Sequence, residues 1–352
     1  MKKLLLILLC LPMIGFGQNV NIPDANFKAY LVGNTAINTN GDAEIQVSEA
    51  TTFNGTINCS SMNINDLTGI EYFLALTYLE CEDNQLTSLD VSANLALTSL
   101  NCGENLGSNQ ITSLDVSNNT ALTTLYCNNN LLTSLDVSAN LALSYLACSY
   151  NQITSLDVSA NLALSYLACQ QNQLTSLNVS NNTSLIDLHC STNQIISLDV
   201  SNNLALTLFS CRGNQLTSLD VSQNTALTKL WCYTNQITSL DVSQNTALNY
   251  LDCQYNQLTS LDLRNGNNVN WIFGGLTISN NPNLTCINVD DAAWSTFYWV
   301  NIDPQHYFSN NCSGTSVEEH TTNKELLKVT DLLGRETKGT KNEILFYIYD
   351  DG

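Results

Sequence analysis

Residues 143–163 read LSYLACSYNQITSLDVSANLA, and the next 21 residues, 164–184, read LSYLACQQNQLTSLNVSNNTS. The unit L-x-x-L-x-C-x-x-N-Q-[LI]-T-S-L-D-V-S-x-N recurs outward from this pair, placing cysteines at Cys81, Cys102, Cys127, Cys148, Cys169, Cys190, Cys211, Cys232 and Cys253. Their spacing is 21 throughout, except between Cys102 and Cys127, where a four-residue insertion at 106–109 lengthens one loop. In L-x-C the period-2 alternation turns Leu and Cys inward and their neighbours outward, so each unit contributes a short strand. One unit cannot bury its apolar side alone. Units must therefore stack about 4.8 Å apart over a shared core, and about ten turns make a solenoid roughly 50 Å long.

A period of 20 to 29 residues with L-x-x-L-x-[LC]-x-x-N is the mark of leucine-rich repeats. Because LxxLxCxxN and LxxLDVSxN are two versions of one template, residues 56–289 closely resemble the nested 21-residue class of bacterial leucine-rich repeats. The resemblance implies a β-rich solenoid whose Cys-bearing strands form a concave, partner-holding surface. A helical cap at the N-terminal end and a small β segment at the C-terminal end complete the expected fold.

The net charge of −20, with no Lys or Arg between Lys28 and Arg212, argues against nucleic acid and anionic membranes as partners. Residues 1–17, MKKLLLILLCLPMIGFG, read as a secretory signal peptide too short to span a membrane, cleaved near Gly17. A lipid anchor on Cys10 is disfavoured because Leu9 precedes it and the apolar run continues past it. Export implies an oxidising compartment.

Residues 18–55 lack the repeat and should cap the exposed core. IPDANFKAYLVGN, with Pro23 near its start and Gly33 near its end, predicts a helix. Asn38, Asn40, Asp42, Glu44 and Glu49 then follow an order resembling the calcium loop of an EF-hand, with Ile45 at the apolar position. Asn38 stands where the loop usually starts with Asp, and Ala43 where it turns on Gly, so a polar turn between two helices is the competing reading.

Two columns invite chemistry inside the repeats. The Cys ladder reads as small buried thiols, since equivalent side chains on parallel strands point the same way and no histidines align with them. The Asn column, Asn130, Asn151, Asn172, Asn193 and Asn214, should satisfy backbone groups at the bend after each strand. Asp90, Asp115, Asp136, Asp157, Asp199, Asp220, Asp241 and Asp262 form an exposed ladder, with Asn178 the exception. Neighbouring carboxylates repel by about 1 kcal/mol in water. Hydrogen bonds from flanking serines such as Ser134 and Ser138, or bound cations, must offset this.

The T-S-L-D-V-S half hardly varies, whereas the outward positions around the Cys strand do. They carry Tyr126, Tyr145, Tyr150, Tyr166, Asp187, His189, Arg212, Lys229, Trp231, Tyr233, Tyr250, Asp252 and Tyr255. Exposed aromatics with polar tips suit recognition of a protein or glycan, and stacking between strands is the bland alternative.

Past Leu261 the repeat decays. LTCINV reads as L-x-x-L-x-C with Val289 in the Cys column, leaving Cys286 outward and able to bridge to Cys312. Residues 290–313 form the C-terminal cap, with Trp294, Phe297, Tyr298 and Trp299 expected to cover the last turn. After a polar linker at 314–322, residues 323–352 hold five of the eleven basic residues. Val329, Asp331, Leu332, Gly334, Arg335, Tyr349 and Gly352 resemble the type A sorting domain of the type IX secretion system, implying outer-membrane passage and then release or surface attachment. The final basic strand of that domain is absent, so the segment reads as truncated.

Nothing marks a catalyst. His189, His306 and His320 form no H-E-x-x-H, and neither a G-x-S-x-G elbow nor a phosphate loop occurs. The expected function is an exported, non-catalytic binder of a protein or glycan, passed through the type IX machinery, with calcium the one cofactor in view. Its rival is a structural envelope protein that self-associates.

Overall fold

A computed structural model describes residues 17–103, 109–271 and 274–312, together with the backbone of strands at 326–330 and 346–349. The chain divides into two compact units, Met1–Asn310 and Asn311–Gly352. The expected leader, but for Gly17, lies outside the described residues, as do most of the insertion at 106–109 and Asp331, Leu332, Gly334, Arg335 and Gly352.

The first unit is a parallel β-solenoid. Strands β1 (Thr56–Asn58), β2 (Tyr78–Glu80), β3 (Ser99–Gly103), β4 (Thr124–Cys127), β5 (Tyr145–Ala147), β6 (Tyr166–Ala168), β7 (Asp187–His189), β8 (Leu208–Ser210) and β9 (Lys229–Trp231) pair in chain order. Beyond them, β10 (Ser239–Asp241) and β12 (Ser260–Asp262) start a second sheet, completed by β14 (Cys286–Asn288) and β15 (Tyr307–Ser309). Meanwhile β11 (Tyr250–Asp252) and β13 (Leu276–Thr277) extend the first to 11 strands. The two halves of each repeat thus face different sides of one core.

Register explains that core. Leu125, Leu146 and Leu167 sit opposite one another on β4, β5 and β6, and all three are fully buried. Each buried Leu is worth roughly 1.5–3 kcal/mol of transfer free energy, and the same positions recur turn after turn. Ten cysteines, Cys59 among them, are buried and free. Burial pushes the thiols of Cys102 and Cys148 up to about 12, so they pack as neutral apolar groups.

Asparagines close the backbone accounts at both bends. The amide of Asn151 donates to the carbonyls of Cys127 (3.0 Å) and Cys148 (3.1 Å), while its oxygen accepts from the N–H of Leu132 (3.0 Å). After the insertion Asn109 takes the same role, donating to Cys81 and Cys102. A second column, Asn119, Asn140, Asn161 and Asn182, is fully buried at the other bend. There Asn161 donates to Val137 (3.0 Å) and to Asn140 (2.9 Å), and Asn182 donates to Asn161 in turn (2.9 Å).

The N-terminal cap starts with α1 (Ala25–Gly33), whose Asp24 side chain accepts from the N–H groups of Asn26 and Phe27. Phe27 and Leu31 enter the core. Helix α2 (Val47–Thr52) follows, closed by a capping box between Gln46 and Glu49. At the other end, α3 (Ala292–Tyr298) is capped by Asp291.

One register assignment from the sequence is overturned. Ile287 pairs with Leu261 and Asn288 with Asp262, so LTCINV belongs to the T-S-L-D-V half, and Val289 does not occupy the Cys column. That column continues to Ile278, because Leu251 and Asp252 pair with Leu276 and Thr277. Both halves satisfy L-x-x-L-x-[CV], and only pairing separates them. Cys286 is half-buried, and both it and Cys312 are disulfide-bonded.

In the second unit, β16 (Leu326–Thr330) pairs antiparallel with β17 (Phe346–Tyr349), which carries the position of Tyr349.

Candidate ligand-binding face

Outward positions on the 11-stranded sheet fall into columns one strand apart. Tyr145 pairs with Tyr166, then Asp187, Leu208, Lys229 and Tyr250. The neighbouring column runs Tyr126, Ala147, Ala168, His189, Ser210, Trp231, Asp252. Small residues in one column leave room for rings leaning from the other, and two aromatic runs result.

In the first run, ring centroids lie 4.7 Å apart between Tyr126 and Tyr145, 4.1 Å between Tyr145 and Tyr166, and 5.5 Å between Tyr166 and His189. In the second, Trp231 and Tyr250 lie 5.1 Å apart. Between the runs a cleft of about 310 Å³ is lined by Gln170, His189, Ser191, Ser210, Arg212 and Trp231. Its floor is polar, with Ser191 Oγ 2.7 Å from Ser210 Oγ. One side carries the Arg212 guanidinium, which stands 5.4 Å from the Tyr233 ring centroid and donates to its hydroxyl. Burial pushes the His189 imidazole below its ordinary value despite the nearby Asp187 carboxylate, so this wall is neutral at pH 7. The side-chain oxygen of Gln170 is buried with no hydrogen-bond partner.

Of the residues singled out from sequence, Tyr126, Tyr145, Tyr166, His189, Trp231 and Tyr250 therefore build the strip, with Tyr233 beneath Arg212. Lys229 is exposed on the same strand as Trp231. Tyr150 and Tyr255 lie past the strands in left-handed turns, with φ of 56° and 53°. Asp252 sits in an outward column but is covered: it is 6% exposed, accepts from Gln254, and has its carboxyl pushed up by burial. The sequence reading missed Gln170, Ser191 and Ser210. Their signal is their position beside aromatic columns on neighbouring turns.

The residues of the calcium-like loop are engaged with one another rather than arranged as a shell. Asn38 donates to the carbonyls of Val32 and Asp42, and Asn40 donates to Asp42 and Gln46. Glu44 turns away to Lys28 at 2.7 Å. Glu49 accepts from Thr39, Asn40 and Gln46; burial opposes its charge, but these donors hold its carboxyl below the ordinary range. Calcium, with its six to eight oxygen ligands, would have to compete with these hydrogen bonds and with Lys28 for the same oxygens.

From Asp90 to Asp241 each carboxylate of the ladder accepts from the serine two residues on, as Asp136 does from the Ser138 N–H at 2.9 Å, whereas Asp262 accepts from Arg264. The Ser138 hydroxyl and that N–H hold its carboxyl below the usual range against repulsion from Asp115 and Asp157. Among the described residues, no cluster of three or more His, Cys, Asp or Glu could hold a metal, and no helix is long and apolar enough to cross a membrane.

Register, Asn ladders and the two-sided core define a leucine-rich repeat solenoid. The functional domain of InlJ from Listeria monocytogenes, described as including a cysteine ladder, is similar at 35% identity and a TM-score of 0.60. The match covers 77% of this chain and 66% of that one, so this chain spans a little under two thirds of that structure. A leucine-rich repeat protein of Leptospira interrogans is similar at 25% identity and a TM-score of 0.53, over 58% and 55% of the two chains. The ectodomain of the Arabidopsis thaliana receptor kinase GASSHO1/SCHENGEN3 shares the fold at 18% identity and a TM-score of 0.53, over 66% of this chain and 31% of that one. No protein-family model and no curated protein matches the sequence.

Proposed function

We propose that this chain is an exported, non-catalytic binding protein that holds a protein or glycan on the outward face of its 11-stranded sheet. The observation that carries the reading is the cleft between two aromatic runs. Rings wall it, hydroxyls floor it, and the first cation after Lys28 in the sequence stands at its side. Large rigid rings around a few polar groups give contact area at low entropic cost and direction through hydrogen bonds. The leader at 1–17 and the sorting-like segment at 323–352 support passage through the type IX machinery to the cell surface or medium. A screen of immobilised glycans and candidate surface proteins against wild type and a His189→Ala, Arg212→Ala double variant tests the reading. Partners should be lost by the variant alone.

A second reading, self-association into an envelope or adhesive layer, draws on exposed leucines. Leu95, Leu141, Leu162 and Leu204 recur at one repeat position and are each about three-fifths exposed. Light scattering of the purified chain with calcium and then with chelator separates the two. A monomer in both favours the binder; calcium-dependent assembly favours the layer.

A further inference from the structure

Among the described residues, the cap at the C-terminal end of the solenoid leaves a cavity. A cavity of about 500 Å³ lies between the segment holding Val269 and Trp271, strand β13, and the end of α3 with the residues after it. Four of its lining residues are aromatic: Trp271, Trp294, Tyr298 and Trp299. Their rings form a continuous wall, with centroids 5.6 Å apart for Trp271 and Trp299, 5.5 Å for Trp294 and Trp299, and 4.7 Å for Trp294 and Tyr298. Trp271 and Trp299 are 2% and 8% exposed, whereas Tyr298 and Val300 stand at 52% and 77%. The wall is buried at its back and exposed at its rim.

The lining decides the chemistry. A free sugar would bring several hydroxyls, but the polar side-chain groups here are few: Thr277, Asn301, the Tyr298 hydroxyl and the indole N–H groups of Trp271 and Trp299, which are buried without partners and suit the single oxygen of an ester. A primary ammonium would lose its water without three acceptors in return. Indole and phenol faces carry the negative lobe of the ring quadrupole, which attracts a cation that needs no hydrogen bonds. The chain's charge of −20 concentrates cations around it.

We propose that this cavity binds a trimethylammonium group, as carried by choline and its esters, with room for the chain that bears it. The site is separate from the sheet face and does not rest on the function proposed for it.

Tryptophan fluorescence of the full chain carrying Trp231→Phe tests this. The three remaining tryptophans, Trp271, Trp294 and Trp299, all line the cavity. Choline chloride should change the emission saturably, with the uncharged isostere 3,3-dimethylbutanol binding roughly tenfold more weakly or worse. Tyr298→Leu, at the exposed rim, should weaken choline binding several-fold with an unchanged melting temperature. Equal affinity for choline and its isostere, or no saturable response to choline in a folded chain, would overturn the proposal. Preferential response to glucose would do the same.

Discussion

Tyr145 and Tyr166 stack across β5 and β6 with ring centroids 4.1 Å apart and planes 3° from parallel. Burial, then hydrogen bonding to Tyr166 and Tyr126, pushes the Tyr145 hydroxyl above its ordinary value of 10.0. The unfolded phenol ionises first, so this stabilisation is complete below pH 10 and is lost as pH rises further. Difference absorption at 295 nm should show a late ionisation step above pH 10, and Tyr145→Phe should remove it. Loss of an early step instead would place Tyr145 in water.

The thiol ladder adds an alkaline limit. Unfolded thiols ionise near 9.0, whereas those of Cys59, Cys102, Cys148 and Cys190 do so only at about 12. The raised folded value means that stability is full below pH 9 and drains away as pH climbs toward 12. Melting temperature followed by circular dichroism should fall steeply across that window. Native protein should also leave the ladder unreactive toward a thiol reagent at pH 8, and rapid labelling there would contradict the buried ladder.

Asn151 joins four backbone groups on neighbouring turns, those of Cys127, Leu132, Cys148 and Ser149. Asn151→Ala strands the Leu132 N–H and leaves the Cys127 and Cys148 carbonyls without its amide, at a cost of about 2–4 kcal/mol. Urea unfolding should show this loss, and a cost below about 1 kcal/mol would mean that the solenoid satisfies these groups otherwise.

The Asp ladder contains its own control, because Asn178 accepts from the Ser180 N–H at 3.0 Å just as its Asp neighbours do from theirs. Asp136→Asn and Asp157→Asn should therefore cost little stability at neutral pH, while Asp136→Ala costs more. Since Asp90, Asp115, Asp136 and Asp157 have depressed folded values, their stabilisation holds above about pH 3.8 and fades below it. A large loss in the Asn variants that chelator reproduces in wild type would instead indicate cations along the ladder. The same titration reports on the loop from Asn38 to Glu49: calcium should leave the melting temperature unmoved, since Glu44 and Glu49 are already partnered.

Cys286 and Cys312 give a counted test of the proposed bridge between them. In denaturant, the thiol count of a chain lacking residues 1–17 should rise by two on reduction, over the ten free cysteines of the ladder.

Much of this was legible because the chain repeats itself. Leu146, Cys148 and Asn151 could be read as scaffold by comparison with Leu167, Cys169 and Asn172, and the structure places each where that comparison puts it. The role of Asn161 was harder to see, since its partners are carbonyls one turn away that no local pattern reveals. LTCINV misled because one template serves both halves, and only the pairing of Ile287 with Leu261 separates them. Trp271 lies where periodicity has decayed. Phe297, counted from sequence as cover for the core, is 74% exposed, because α3 turns it outward while Trp299 packs inward. The cleft is a property of four neighbouring turns and is invisible within one.

The most direct test of the sheet face is array binding by Trp231→Ala, Tyr233→Ala, Tyr250→Ala beside wild type, with circular dichroism confirming that both are folded. The account predicts that partners held by wild type are lost by the variant. Retention of every partner at unchanged affinity would contradict it.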